Sequence, residues 1–375
     1  MALDVICAHS GRADTAPAIQ ELEAQLVGAE PMAVFFFCGD DHDGLAIDAK
    51  LRTLFPSAEV IGCTTAGEYT NKAYGQNGVS VMTLGRSKVV RCAAAMAEFD
   101  KGASVDVSVN EACRALAQKL QVDLRELDPA SWIGIVLNEG MKGNEEAVNA
   151  TLGFVAPFLS FLGGSAGDNL KAKETRVFYQ GVESMCGSVI LLMELAVPHV
   201  IVKSCSLEPT ATKLLVNKVQ GRVVYEIDGQ LAVARYAEIV GSTPEQLNHP
   251  VFMANPLGVV IDGEPWVRAP IAVLPDGGLL FGCAIHEGSQ LFLLRSTDLV
   301  GDTNRALQKG AAELGREPSS ALVFNCAHRF VEIQVKKLEP GFCEAISHYP
   351  VAGFNSYGES WLAHMNQTMI ALLFG

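Results

Sequence analysis

The chain has 375 residues, 49% hydrophobic and 19% charged, with a formal net charge of −14. That is enough chain for a large core and, at roughly 100–200 residues per domain, for two lobes. The acidic balance and the lack of Lys/Arg clusters argue against nucleic acid or an anionic membrane surface as partner, because both need cations to displace counterions.

The amino terminus, MALDVICAHSGRAD, has no basic stretch followed by an apolar core and so does not read as a secretory signal. The longest apolar run, 188–202, is broken by Glu194, Pro198 and His199 and is too short to span a bilayer. Ten cysteines stand singly with no Cys-x-x-Cys pair, which fits reduced, buried thiols and a cytoplasmic protein.

Taken in chain order, short apolar runs alternate with helical patterns, as expected for an α/β fold with mixed sheets flanked by helices. Three stretches repeat one plan of strand, helix and strand. The first is AVFFFCG (33–39), a helix through Ile47 and Leu51, then EVIGCTTAGE ending at Glu68. The second is WIGIVLN (132–138), a helix through Ala147 and Leu152, then FLSFLGGSAGD ending at Asp168. The third is ALVFNCA (321–327), a longer middle segment, then YPVAGFNSYGE ending at Glu359. Cys38 to Glu68 spans 30 positions, Asn138 to Asp168 also 30, and Asn325 to Glu359 spans 34. Each ends in a small-residue turn, then Gly and a carboxylate. Such turns expose backbone N–H groups at the sheet edge where ligands of open α/β sheets usually sit.

Strands dominate from Arg176 to Gln220. A strand pair follows over 216–229, then a helix over 230–241 ending on Gly241. The lobe boundary is expected near 209–220.

The combination GCTTAGE (62–68), GGSAGD (163–168) and VNKVQGRVVYEIDGQLAVARY (216–236) resembles the FIST sensory domain. FNCAHR (324–329), VAGFNSYGE (351–359) and NQT (366–368) continue the likeness in the same order. The resemblance implies a FIST N-terminal domain over 25–215 and a FIST C-terminal domain over 216–370. It also implies a signal-input module reporting a small molecule to a signalling enzyme, such as a histidine kinase of a two-component system or a cyclic-dinucleotide enzyme. No nucleic acid and no membrane insertion are expected, and a homodimer is left open.

One branch of the family resembles haem-binding nitric-oxide sensors, so haem b is the leading specific ligand and an amino acid or related metabolite the alternative. For haem, His348, beside Tyr349 and Pro350, is the candidate axial ligand, with His328 next to Arg329 a competitor. Arg329 suits a propionate or another carboxylate bidentately. For a small polar ligand, Arg329, Asn355, Tyr357 and Glu359 form a candidate set if their strands are adjacent. Residues 163–167 also match G-x-S-x-G, a serine-hydrolase elbow centred on Ser165. The polar segment after them lacks the helix that elbow needs, so no catalytic residue is assigned.

Overall fold

The computed structural model describes residues 4–100 and 102–375. They form two compact units: the described residues up to 203, with 304–364 and 369–375, in the first, and 204–303 with 365–368 in the second. Residues 209–220, where the composition changes, lie inside one strand of the second unit.

The first unit contains the threefold plan. Repeat I is β1 (Val5–Ser10), α1 (Thr15–Gln25), β2 (Pro31–Cys38), α2 (Gly44–Leu54), β3 (Glu59–Thr64), β4 (Glu68–Thr70), β5 (Ala73–Gly75) and β6 (Val79–Gly85). Repeat II is β7 (Val89–Glu98), α3 (Val105–Leu120), β8 (Trp132–Asn138), α4 (Glu145–Val155), β9 (Phe161–Ser165), β10 (Val177–Tyr179), β11 (Val182–Ser184) and β12 (Gly187–Leu195). Repeat III opens with β13 (His199–Cys205), whose end passes into the second unit.

That unit carries β14 (Leu207–Gln220), β15 (Val223–Ile227), β16 (Gln230–Leu231), α5 (Ala232–Ile239), α6 (His249–Ala254), β17 (Leu257–Ile261), β18 (Glu264–Arg268), β19 (Pro270–Val273), β20 (Leu279–Phe281) and β21 (Gln290–Ser296). Its strands form one antiparallel sheet over a core that includes Leu214, Val224, Tyr236, Phe252 and Phe281. Gly221 at φ +60° turns β14 into β15, and Gly241 at φ +66° ends the α5 region, as the glycine pattern suggests.

Repeat III resumes with α7 (Leu299–Leu314), β22 (Ser320–Cys326), α8 (Ala327–Val335), α9 (Glu339–Ile346), β23 (Val351–Ser356), β24 (Glu359–Trp361), β25 (Ala363–Met365) and β26 (Thr368–Phe374).

Each repeat builds its own mixed sheet around one parallel pair: β2 with β3, β8 with β9, β22 with β23. The next strand of the same repeat adds antiparallel beside it, giving β1-β6-β2-β3, β7-β12-β8-β9 and β13-β26-β22-β23. The fourth position is not filled locally. The hairpin β10–β11 of repeat II pairs with β3, β24–β25 of repeat III with β9, and β4–β5 of repeat I with β23. Every repeat therefore completes the sheet of another, in a closed cycle.

The central strands are apolar on both faces, as sheets covered on both sides require. Val34, Phe35, Phe36 and Phe37 are all fully buried. On one face Val34, Phe36 and Cys38 pack with Ile47 and Leu51 of α2, and in repeat II Trp132 and Val136 pack with Val148 and Leu152 of α4.

Close approach explains the glycines of β9 and β23. A Cβ on Gly163 would stand 1.8 Å from the Val136 carbonyl oxygen, and one on Gly353 1.9 Å from that of Val323. Gly153, in α4, has open space around it. Gly163→Ala is therefore expected to lower unfolding free energy by about 3 kcal/mol or more. Gly153→Ala should raise it by about 0.5–1 kcal/mol. Denaturant unfolding of the two variants checks the contrast.

Candidate functional site

The three Gly–carboxylate turns meet one another. Ala66 N donates to Asn355 O (2.9 Å) and Asn355 N to Gly67 O (2.7 Å). Gly167 N donates to Thr64 O (3.0 Å), and Asn169 N to Thr65 O (2.9 Å). Ser165 N donates to Gly358 O (2.8 Å) and Tyr357 N to Ser165 O (3.0 Å).

Register then decides which side chains face the helices. Directly paired residues share a face, so the helix-facing Cys38 and Asn138 bring Thr64 and Ser165 with them. In repeat III, Asn325 pairs with Asn355, and Arg329 of α8 reaches Asn325. From the helix-facing residue to the carboxylate there are four positions in repeats I and III but three in repeat II. The consequence is visible in the hydroxyls. Thr65 Oγ1 donates to Glu68 Oε2 (2.9 Å) and Ser356 Oγ to Glu359 Oε1 (2.6 Å). Ser165, one position out of step, instead donates to Glu145 Oε1 of α4 (3.0 Å).

The G-x-S-x-G match is thus a turn: residues 166–176 run on without a helix, and Ser165 is fully buried. Asp168 accepts from the amides of Ala172 (2.9 Å), Lys173 (2.6 Å) and Glu174 (2.9 Å), and from the Tyr357 hydroxyl. Burial raises the Asp168 pKa, but these donors outweigh it and hold the carboxyl below its ordinary value.

Repeat III gathers a basic polar set. The Arg329 side chain, 1% exposed, donates from Nε to Asn325 Oδ1 (2.9 Å), and Asn325 Nδ2 donates to Asn355 Oδ1 (2.9 Å). With its oxygen so engaged, the fully buried Asn355 turns Nδ2 toward the Tyr74 hydroxyl, delivered by β5 of repeat I. The amide offsets part of the burial that raises the Tyr74 pKa, yet neither Asn355 Nδ2 nor the Tyr74 hydroxyl completes a hydrogen bond. Gly67 makes the approach feasible, since a Cβ there would lie 2.9 Å from Asn355 Nδ2. Phe330 and Phe342 wall the Tyr74 ring at centroid distances of 5.8 and 5.6 Å, and Tyr69 stacks on it at 5.7 Å.

Residues 32–230 match the FIST N domain and residues 232–361 the FIST C domain. The chain belongs to the FIST family. FIST domains are signal-transduction sensors, and that is the class of this chain. An uncharacterized protein of Methanocaldococcus jannaschii is 24% identical over 300 residues, covering 72% of this chain and 55% of the relative. The chain thus spans about half the length of that relative.

Of the candidates read from sequence, Arg329 and Asn355 are joined through Asn325. Tyr357 and Glu359 are committed elsewhere, to Asp168 and Ser356. His328 is half-buried in the first turn of α8. His348 is exposed and Tyr349 half-buried, both before β23, at the strand end opposite Asn355. His348 and Asn355 thus stand toward opposite ends of β23. Among the described residues no group of three or more His, Cys, Asp or Glu is placed to hold a metal ion. No described helix is long and apolar enough to cross a membrane.

Sequence reading passed over Asn325 as a site residue, and also Tyr69 and Tyr74. Asn325 and Arg329, four apart where a strand passes into a helix, carry a local signal. The tyrosines carry none, because they arrive through the hairpin exchange.

Burial drives the Glu68 pKa up to about 7 against the bonds from Gly78 N (2.5 Å) and Thr65. An acid whose folded pKa is raised stabilises the fold below its unfolded value, 4.5, and loses that contribution as pH rises toward 7. In Glu68→Gln the loss of stability between pH 4.5 and 7 should shrink by up to about 3 kcal/mol. Glu139, also raised by burial, keeps its own share. Denaturant unfolding of both proteins across that pH range measures the difference.

Proposed function

We propose that this protein is a small-molecule sensor whose ligand, an amino acid or related polar metabolite, binds at the strand ends of repeat III. Binding is reported to a separate signalling enzyme such as a histidine kinase or cyclic-dinucleotide enzyme. The observation that carries this reading is the buried Arg329–Asn325–Asn355 chain, which ends on donors without acceptors beside a wall of aromatic rings. A core that needed only stability would place apolar side chains there, since unmet buried donors cost about 1–3 kcal/mol each. A ligand that meets them in one conformation of the turn shifts the population toward it, and the partner reads that shift.

Thermal unfolding against a panel of amino acids tests the proposal. One or more should raise the midpoint in a concentration-dependent way, as mass action on the native state requires. Asn355→Ala should weaken that ligand about tenfold or more, which corresponds to about 1.4 kcal/mol. The alternative is a haem-based nitric-oxide sensor with His348 or His328 as axial ligand. It predicts a Soret band on titration with haem b that moves with nitric oxide and is lost in His348→Ala or His328→Ala. A flat spectrum together with amino-acid stabilisation selects the first reading.

A further inference from the structure

We infer that the repeat III site takes a small monocarboxylate with an apolar body, and that Tyr74, brought in by the hairpin of repeat I, is one of the two donors that grip the carboxylate. This rests on the reading of repeat III as the ligand site and names the class of ligand.

The polar end follows from what the site lacks. Asn355 Nδ2 and the Tyr74 hydroxyl are both shielded from water and both without a completed hydrogen bond. Asn355 cannot turn its amide over to remove the deficit, because Oδ1 already accepts from Asn325. Two neighbouring donors of this kind are met together by the oxygens of one carboxylate, and bonds to an ionised acceptor are about twice as strong as neutral ones. The Arg329 guanidinium favours negative charge at both Tyr69 and Tyr74, although Glu339 opposes it more strongly at Tyr74.

The turn carboxylates do not call for an ammonium group. The nearby turn carboxylates are engaged by their own turns, Glu68 by Thr65 and Gly78 N and Glu359 by Ser356. The apolar end follows from Phe330, Phe342 and Tyr69 around the Tyr74 ring. Tyr74 is half-buried on β5, a three-residue edge strand paired only with β4. An edge strand with one partner yields locally without opening the sheet, so β5 can shift outward to admit a ligand body between the tyrosine ring and the phenylalanines while the hydroxyl stays beside Asn355.

Titration calorimetry with phenylacetate, 4-methylpentanoate, phenethylamine and inorganic phosphate tests this. Both carboxylates should bind wild type, and phenethylamine and phosphate should not. Tyr74→Phe keeps the ring and loses the donor, so it should bind the carboxylates about tenfold more weakly, while its unliganded melting midpoint should not fall. Asn355→Leu should lose them altogether. Equal binding of phenethylamine, binding of phosphate instead, or undiminished carboxylate affinity in Tyr74→Phe overturns the assignment. Amino-acid stabilisation without any binding of the simple carboxylates also overturns it while leaving the sensor reading standing. Failure of every small molecule removes both.

Discussion

Three short turns, each closing on a glycine and a carboxylate, bind one another through backbone hydrogen bonds, and the rest of the first unit is arranged around them. A parallel strand pair leaves an unpaired edge, and exposed edges invite association with other chains. Here each edge is covered by a hairpin from another repeat, and the turn that launches the hairpin passes through the ring of turns. No repeat has a complete sheet without a hairpin from another. The glycines of β9 and β23 belong to the same constraint, because neighbouring main chain passes where a side chain would stand.

The cyclic plan also differentiates three positions that have a common origin in the topology. Where the strand ends face the helices, repeat I presents Cys38 and Thr64 beside the ring of Phe178, an apolar lining. Repeat II presents Asn138 and Ser165 with Glu145, and repeat III presents Asn325 and Asn355 with Arg329. One frame thus carries an apolar, an acidic and a basic version of the same place. Only the basic one ends on a fully buried side-chain donor that lacks an acceptor.

Each turn also belongs to two places at once. Asn355 stands in repeat III, while Ser360, five residues on, accepts from Asn138 Nδ2 (3.3 Å) and Asn149 Nδ2 (3.4 Å) of repeat II. A ligand that moves Asn355 therefore pulls on a buried network in another sheet. Buried polar networks have discrete alternatives rather than a continuum of small adjustments, which is the property a sensor needs.

The sequence by itself determined the elements and their repetition. Runs such as AVFFFCG and WIGIVLN are too apolar to lie anywhere but between layers, and Gly-carboxylate endings at matched spacing marked three equivalent turns. It also marked Arg329, as a group suited to a carboxylate, and Asn355, as part of a polar set near it. It did not determine which side chains meet. A one-residue difference in turn length turns Ser165 toward a helix while Thr65 and Ser356 cap carboxylates, and spacing alone does not say which way a strand faces. Tyr74 reaches Asn355 only because hairpins are exchanged between repeats, and His348 falls at the far end of β23 although the sequence sets it a few residues from Asn355. Local pattern records what each segment prefers; long-range pairing, which depends on how three sheets close on one another, decides what each side chain touches.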